Sequence, residues 1–233
     1  MTYSDYRRVA RENLRGNYWQ SVFVGFVAAF LGGLLFGSSG FNFNVDSEIL
    51  AELPLILVSY ITLLASISGL LGFVAFIIGG TIELGYAQYL LNQYDHRHFD
   101  IHDLFSQFDR FSVGFLQNLL RGIYIALWSL LLVIPGIVKT YAYAMTPFIL
   151  AENHNLTANE AITASKELMD GHKGELFMLD LTFIGWDLLA ILTLNIGGFF
   201  LSPYRHAAHT AFYRDLVAAN VTAEATVEAH VES

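Results

Sequence analysis

The chain has no cysteine, and between Gly16 and His96 it has no lysine or arginine. The lack of thiols excludes disulfides, thiolate nucleophiles and cysteine-bound metal centres. Charged residues are only 14% of the 233 residues and the net charge is −9, so the chain lacks the basic surface that nucleic-acid binding requires. The sequence therefore predicts no nucleic-acid partner.

Apolar residues, in contrast, are abundant. They make up 55% of the chain, and the mean hydropathy of +0.48 is above the usual range of soluble domains. A helix needs about 20 apolar residues to cross ~30 Å of hydrocarbon. Four regions have that length, namely residues 18–36, 55–80, 113–150 and 176–216. We therefore predict an all-α, polytopic membrane protein that is embedded in the lipid bilayer.

The last two apolar regions are too long for one helix each. Ile134-Pro135-Gly136 interrupts one of them and Asn195-Ile-Gly-Gly198 the other, so each is predicted to be a helical hairpin. This interpretation gives six transmembrane helices in three hairpins. An alternative with four spans would bury Lys139 near the bilayer centre, at a cost of roughly 2.5–3.5 kcal/mol. Six spans are therefore preferred.

The basic residues predict the orientation. Almost all of them fall on one side of a six-span bundle, whereas residues 37–54 contain acidic residues and no basic one. Because lysine and arginine concentrate in cytoplasmic loops, both termini are expected in the cytoplasm. Only Lys139 and Arg205 do not fit. The residues on the predicted cytoplasmic side are Arg7, Arg8, Arg11, Arg15, Arg97, Arg110, Arg121, Lys166, Lys173 and Arg214.

Three amphipathic helices are predicted to lie along the inner leaflet. One precedes the first span, a second covers residues 100–112 with Asp100 as its cap, and a third begins with the capping box Thr157-Ala-Asn-Glu160 and stops at Gly171. Residues 1–216 then form a single membrane-embedded domain, and residues 217–233 an acidic tail that is disordered or loosely helical. The apolar faces of the first two contain Tyr6, Val9, Ala10, Asn13 and Leu14, and Leu104, Phe105, Phe108 and Phe111.

Several motifs occur in a recognisable order along the chain. They are Arg11-Glu-Asn-Leu-Arg-Gly16-Asn-Tyr-Trp19, Leu127-Trp-Ser-Leu-Leu-Leu-Val-Ile-Pro-Gly136, Ala161-Ile-Thr-Ala-Ser-Lys166-Glu-Leu-Met169-Asp-Gly-His-Lys173, Phe183-Ile-Gly-Trp186, Pro203-Tyr204 and Phe212-Tyr213. Together they resemble the bacterial integral-membrane family catalogued as domain of unknown function 975. The resemblance implies a multi-pass protein of the bacterial cytoplasmic membrane. It brings no established activity, so no catalytic residue is implied.

Ionisable residues inside the predicted spans are the main candidates for a functional site, because burying them in a membrane is costly. Asp180 and Asp187 are seven residues apart and so share a face of the fifth span. The sixth span carries Arg205, His206 and His209 at a similar depth, and Lys139 follows the Pro-Gly turn. We expect Asp187 to pair with His209 or Arg205. Such a pair would either couple protons or a substrate, or fix the register of the two helices.

A second polar cluster lies between the second and third spans. Its histidines, His96, His98 and His102, alternate with carboxylates and are weak candidates for a metal site. Their spacing suits neither one strand nor one helix, which favours a solvated connector. No cofactor or metal is therefore predicted.

These observations favour a non-enzymatic membrane module, either a scaffold or an accessory to envelope or transport machinery with other membrane proteins as partners. The alternative is a small-solute or lipid transporter or channel-like protein lined by the polar residues of the fifth and sixth spans. A membrane-surface metal-dependent enzyme is the third hypothesis. An open cavity beside Asp187 and the histidines would favour transport, and a sealed interior the module. Neither the substrate nor the oligomeric state follows from the sequence.

Overall fold

The computed structural model describes residues 2–32, 54–193 and 196–231, and within these ranges the chain is all-helical without a β-strand. Two short 3₁₀ turns, Ile101–Phe105 and Phe108–Arg110, interrupt the series of α-helices. The α-helices are α1 (Tyr3–Asn13), α2 (Tyr18–Leu31), α3 (Leu55–Tyr94), α4 (Phe111–Leu131), α5 (Val133–Ala142), α6 (Thr146–Glu152), α7 (Ala158–Leu168), α8 (Lys173–Leu181), α9 (Ile184–Leu192) and α10 (Ile196–Val231).

Helix α10 packs against helices from the beginning, the middle and the end of the described chain. Helices α1, α2, α3 and α9 all pack against it, and its inner face, including Ala208 and Phe212, is fully buried. Helix α1 contributes Tyr6, Ala10 and Leu14, which are also buried in this core. The sequence predicted this apolar face correctly. This face packs against α10. The expectation that it rests on lipid is therefore wrong, because the surface of α10 covers it.

Helices α3 and α4 cross at two glycines. A Cβ atom added to Gly80 would lie only 2.1 Å from the carbonyl oxygen of Gly114, and one added to Gly114 would lie 2.8 Å from Cα of Thr81. Gly79 approaches Gly32 of α2 in a similar way, with 3.0 Å from such a Cβ to the Gly32 carbonyl oxygen. The absence of side chains at these positions is what permits the close helix packing.

Helices α4 and α5 form the first hairpin predicted from the turn signals. The bend lies at Leu132, whose backbone is extended (φ −160°, ψ 144°), and Ser129 packs against Gly136 across the hairpin. The bend therefore precedes the predicted Ile-Pro-Gly turn. Pro135 lies in the first turn of α5, where its missing N–H costs nothing, so the chain can re-enter a helix before the proline.

Helices α9 and α10 form the second hairpin, and its connection at residues 194–195 lies outside the described residues. Each hairpin has a further break that the sequence did not indicate, at residues 143–145 between α5 and α6 and at Thr182 and Phe183 between α8 and α9. The predicted external loop 37–54 also lies outside the described residues, apart from Pro54. Helix α3 extends well beyond the predicted end of the second span at Gly80, to Tyr94.

The predicted amphipathic helix 100–112 is wrong. Asp100 does cap the segment by accepting a 2.7 Å hydrogen bond from the Ile101 amide, but the segment forms two 3₁₀ turns, and α4 begins at Phe111. Leu104 is fully buried because its backbone lies directly against Gly85 of α3. Phe105 and Phe108 remain exposed, so the predicted apolar stripe has no packing partner that would stabilise a helix here.

The capping box at the start of α7 is confirmed. The Thr157 side chain accepts from the Glu160 amide, and the Glu160 carboxylate accepts from the Thr157 backbone amide at 2.8 Å. The hydrogen bond from the Thr157 backbone amide, followed in size by the one from its hydroxyl, holds the pKa of Glu160 below its ordinary value. The helix ends before Gly171, which has a φ of +78°. This left-handed conformation suits glycine and stops the helix, as predicted.

Two stretches of the described chain are long and apolar enough to cross a membrane, judged by length and composition alone. They are Gly69–Tyr94 within α3 and Val133–Glu152, which covers α5 and α6. Half of the apolar window in the first stretch is buried inside the fold. Helix α2 is apolar as well but shorter.

Candidate functional site

The candidate site begins with an ion pair between the two helices of the second hairpin. Nη2 of Arg205, on α10, lies 2.5 and 2.6 Å from the two carboxylate oxygens of Asp187, on α9. The Arg205 guanidinium also lies over the ring of Phe183, 5.5 Å from its centroid. Of the two partners predicted for Asp187, the structure therefore places Arg205 beside it.

The other predicted partner, His209, contacts a different carboxylate. Its Nε2 lies 2.7 Å from Oδ1 of Asp180, on α8. His209 follows Arg205 by one turn of α10, and Asp180 precedes Asp187 by seven residues, so the two pairs lie one above the other along the same helix interface. Both aspartates that the sequence singled out thus face α10, and each has its own basic partner.

A cavity of about 320 Å³ lies beside these pairs, between α3, α4, α5 and α10. His206 and His209 line one wall, and the His206 ring packs edge-on against Tyr86 at 5.1 Å between centroids. Glu83 and Arg121 line the opposite side. The remaining wall is largely apolar. Imidazole and carboxylate groups therefore border an internal space that is large enough for a small polar molecule.

Glu83 and Arg121 are site residues that the sequence reasoning missed. Nη2 of Arg121 lies 2.8 Å from both carboxylate oxygens of Glu83, and Gln117 donates a third hydrogen bond at 3.2 Å. Arg121 was assigned to the cytoplasmic side, whereas the structure places it within the packed helices, with 20% of its side chain exposed. A signal for Glu83 was present, since it is the one acidic residue of α3.

Lys139 does not join the polar cluster. Its ammonium group lies over the ring of Trp128, 4.7 Å from the centroid, and 6.0 Å from the centroid of Tyr143. These contacts are cation–π interactions within the first hairpin. Of the predicted intramembrane polar residues, the structure thus brings together the aspartates, Arg205 and the two histidines of α10, and it leaves Lys139 apart.

The histidines proposed as weak metal candidates do not form a metal-binding cluster in the part of the chain that the structure describes. His102 lies 3.9 Å from Asp100 at an exposed position. Among the residues that the structure describes, no group of three or more metal-ligating side chains is placed to hold an ion.

A second polar layer closes one end of the helices. Arg214 of α10 lies 2.5 Å from Asp95, at the end of α3, and 2.5 Å from Glu152, at the end of α6. Tyr213 donates a 2.6 Å hydrogen bond to the same Glu152 carboxylate. One arginine in the middle of α10 therefore joins the ends of two other helices, α3 and α6.

Comparison with known proteins gives one match. The family model described as "Protein of unknown function (DUF975)" matches residues 130–220, less than half of the chain. No curated protein and no solved structure matches it. The matched segment contains Pro135, Lys166, Phe183 and Tyr204, that is, the later motifs on which the resemblance rests, whereas the motif around Gly16 lies outside it. From residue 130 to residue 220 the chain thus matches the family of proteins of unknown function DUF975.

Proposed function

We propose that the chain is a multi-pass protein of the bacterial cytoplasmic membrane, with six transmembrane helices in three hairpins and both termini in the cytoplasm. The apolar exposed surface supports this proposal. Leu55 of α3, Leu130 of α4 and Leu188 of α9 are 87%, 85% and 60% exposed, and apolar neighbours surround each of them. A soluble monomer rarely exposes apolar patches of this extent, whereas lipid would cover them.

Within that membrane the protein acts as a non-enzymatic module, a scaffold or an accessory for other membrane proteins. The observation that carries this proposal is the pairing of the charges at the helix interfaces. Asp187, Asp180 and Glu83 each have a basic partner within 2.8 Å. Paired charges of this kind can fix the register of neighbouring helices, which is the role expected of a structural module.

The cavity favours a second candidate function, the passage of a small polar solute. His206, His209 and Glu83 border it, so imidazole and carboxylate groups are placed to contact a polar solute there. In this alternative the Asp180–His209 pair would open and close during transport. The structure lends the metal-dependent enzyme no comparable support.

The topology can be tested with single cysteines, because the chain has none of its own. Cysteines at Asn159 and Lys173 are expected to resist an impermeant thiol reagent in intact cells, and one at Asn44 to react. Labelling at Asn159 and Lys173 would contradict the six-span arrangement and favour four spans.

The same reagent separates the module from the transporter in inverted membrane vesicles. A cysteine at Ala87 would line the cavity, whereas one at Ala75 would be equally buried on α3 away from it. Reaction at Ala87 but not at Ala75 would favour a solute path. If neither position reacts, the cavity is sealed and the module is the better description.

A further inference from the structure

A larger cavity lies on the outside of the helices, separate from the polar cluster. It is a groove of about 710 Å³ between α1, α9 and α10. Its wall is mainly apolar and includes Trp186 and Leu189, both of which are more than half exposed. Three arginines border it, Arg7, Arg11 and Arg15. A long apolar groove with a cationic edge is thus open to the surroundings of the protein.

The packing of α1 explains why the arginines line this groove. Arg7 and Arg11 are four residues apart, so they share one side of α1, next to the face that Tyr6 and Ala10 bury against α10, and Arg15 follows in the turn after α1. Because that buried face fixes the rotation of α1, the arginine side is held toward α9 and the groove.

The charge at the groove is not neutralised within the described part of the chain. Arg7 donates to the Tyr204 hydroxyl at 3.3 Å and lies over the Phe183 ring, and no carboxylate is recorded in salt-bridge contact with Arg7, Arg11 or Arg15 there. Glu12 is adjacent in sequence, but successive helical residues point in different directions. The nearby aspartates of α8 and α9 already have their own partners. The groove therefore presents excess positive charge.

We propose that this groove binds an anionic phospholipid, with its phosphate headgroup on Arg11 and Arg15 and an acyl chain along the wall that contains Trp186 and Leu189. The inference rests on the proposed membrane location. The occupant must supply a negative charge, because the arginines have no anionic partner in the described part of the chain. It must also supply a long apolar segment that covers the wall. An anionic phospholipid has both, whereas inorganic phosphate has only the charge.

The test uses tryptophan quenching in detergent, where brominated acyl chains quench a tryptophan they touch. The variant Trp19→Phe/Trp128→Phe leaves Trp186 as the one tryptophan, at the groove. Brominated phosphatidylglycerol is expected to quench it at a roughly 25-fold lower mole fraction than brominated phosphatidylcholine, since each basic residue near an anionic lipid contributes about a factor of five.

Adding Arg11→Gln and Arg15→Gln should abolish the difference between the two lipids. Arg8→Gln is the matched control, because Arg8 lies on the same helix, pairs with Asp5 at 3.1 Å and does not line the groove. Equal quenching by both lipids in the unmodified groove, or no quenching by either, would overturn the proposal. So would a preference for phosphatidylglycerol that survives in the double-glutamine variant. Because the cysteine labelling above reports the topology independently, failure here with six spans confirmed would refute the lipid site alone.

Discussion

The crossing of α3 and α4 at Gly80 and Gly114 gives the sharpest prediction of stability. In Gly80→Ala the new Cβ would lie 2.1 Å from a backbone oxygen and 2.8 Å from the Asn118 Cβ. The backbone cannot rotate out of the way as a flexible side chain can. The two helices must therefore separate by about 1 Å. Such a gap loses a quarter to a half of the dispersion energy along their contact. Overpacking of this kind costs about 1–3 kcal/mol.

Alanine is also a better helix former than glycine by up to ~1 kcal/mol, and this offsets part of the cost. We expect Gly80→Ala to lower the free energy of unfolding by about 1 kcal/mol, and thus the midpoint of thermal unfolding by roughly 2–4 °C for a chain of this size. The measurement is far-UV circular dichroism of the purified protein in maltoside detergent.

Two glycines of the same helices provide the control. A Cβ at Gly69 of α3 or Gly122 of α4 would meet nothing within 4 Å, so alanine there gains helix propensity without a clash. Gly69→Ala and Gly122→Ala should unfold at the same temperature as the parent protein or a few degrees higher. If Gly80→Ala behaved like these two variants, the helices would not cross at this point.

Two further predictions concern the polar groups. The Asp187→Asn variant can still form a hydrogen bond with Arg205 and should fold normally. Asp187→Leu leaves the arginine without a partner and should lower the free energy of unfolding in detergent by about 1–3 kcal/mol. Adding Arg205→Met should recover most of that loss, and no recovery would contradict the pair. Hydrogen bonds from Thr157 lower the pKa of Glu160, so their contribution to α7 is present above the unfolded-state pKa and lost as the pH falls through the folded one. An NMR titration should show the lowered pKa, and Thr157→Ala should raise it; an ordinary pKa in the parent protein would refute the capping box.

The sequence predicted those features of the fold that depend on local chemistry. The capping box at Thr157, the stop at Gly171 and a helix break near Pro135 all follow from residues within a few positions of the feature itself. The pairing of Asp187 with Arg205 could be predicted from the sequence for a related reason. Once two adjacent helices are known to form a hairpin, the distance of each residue from the turn fixes which side chains lie at the same level.

Features that depend on contacts between distant helices were not predictable in this way. The Gly79-Gly80 pair looked like the end of a span, but its glycines lie inside α3 and permit the approach of Gly32 and Gly114. Glu83 was overlooked because its partner, Arg121, reaches it only through the crossing of α3 and α4. Likewise, the segment after residue 100 forms 3₁₀ turns in place of the predicted helix, and its Leu104 backbone lies directly against Gly85 of α3, which lies outside the sequence pattern that predicted the helix.

The packing of α10 on helices from earlier in the chain has a consequence for the synthesis of the protein. Helix α10 is synthesised after the other described helices, yet Tyr6 of the first helix packs on Phe212 and donates a hydrogen bond to Asp215, 209 residues later in the chain. Arg214 likewise completes the contacts of Asp95 and Glu152 only at this late stage. The earlier helices are therefore synthesised before the helix on which they pack. A chain cut short before α10 would therefore leave the surfaces around Tyr6, Asp95 and Glu152 without their contacts to this helix.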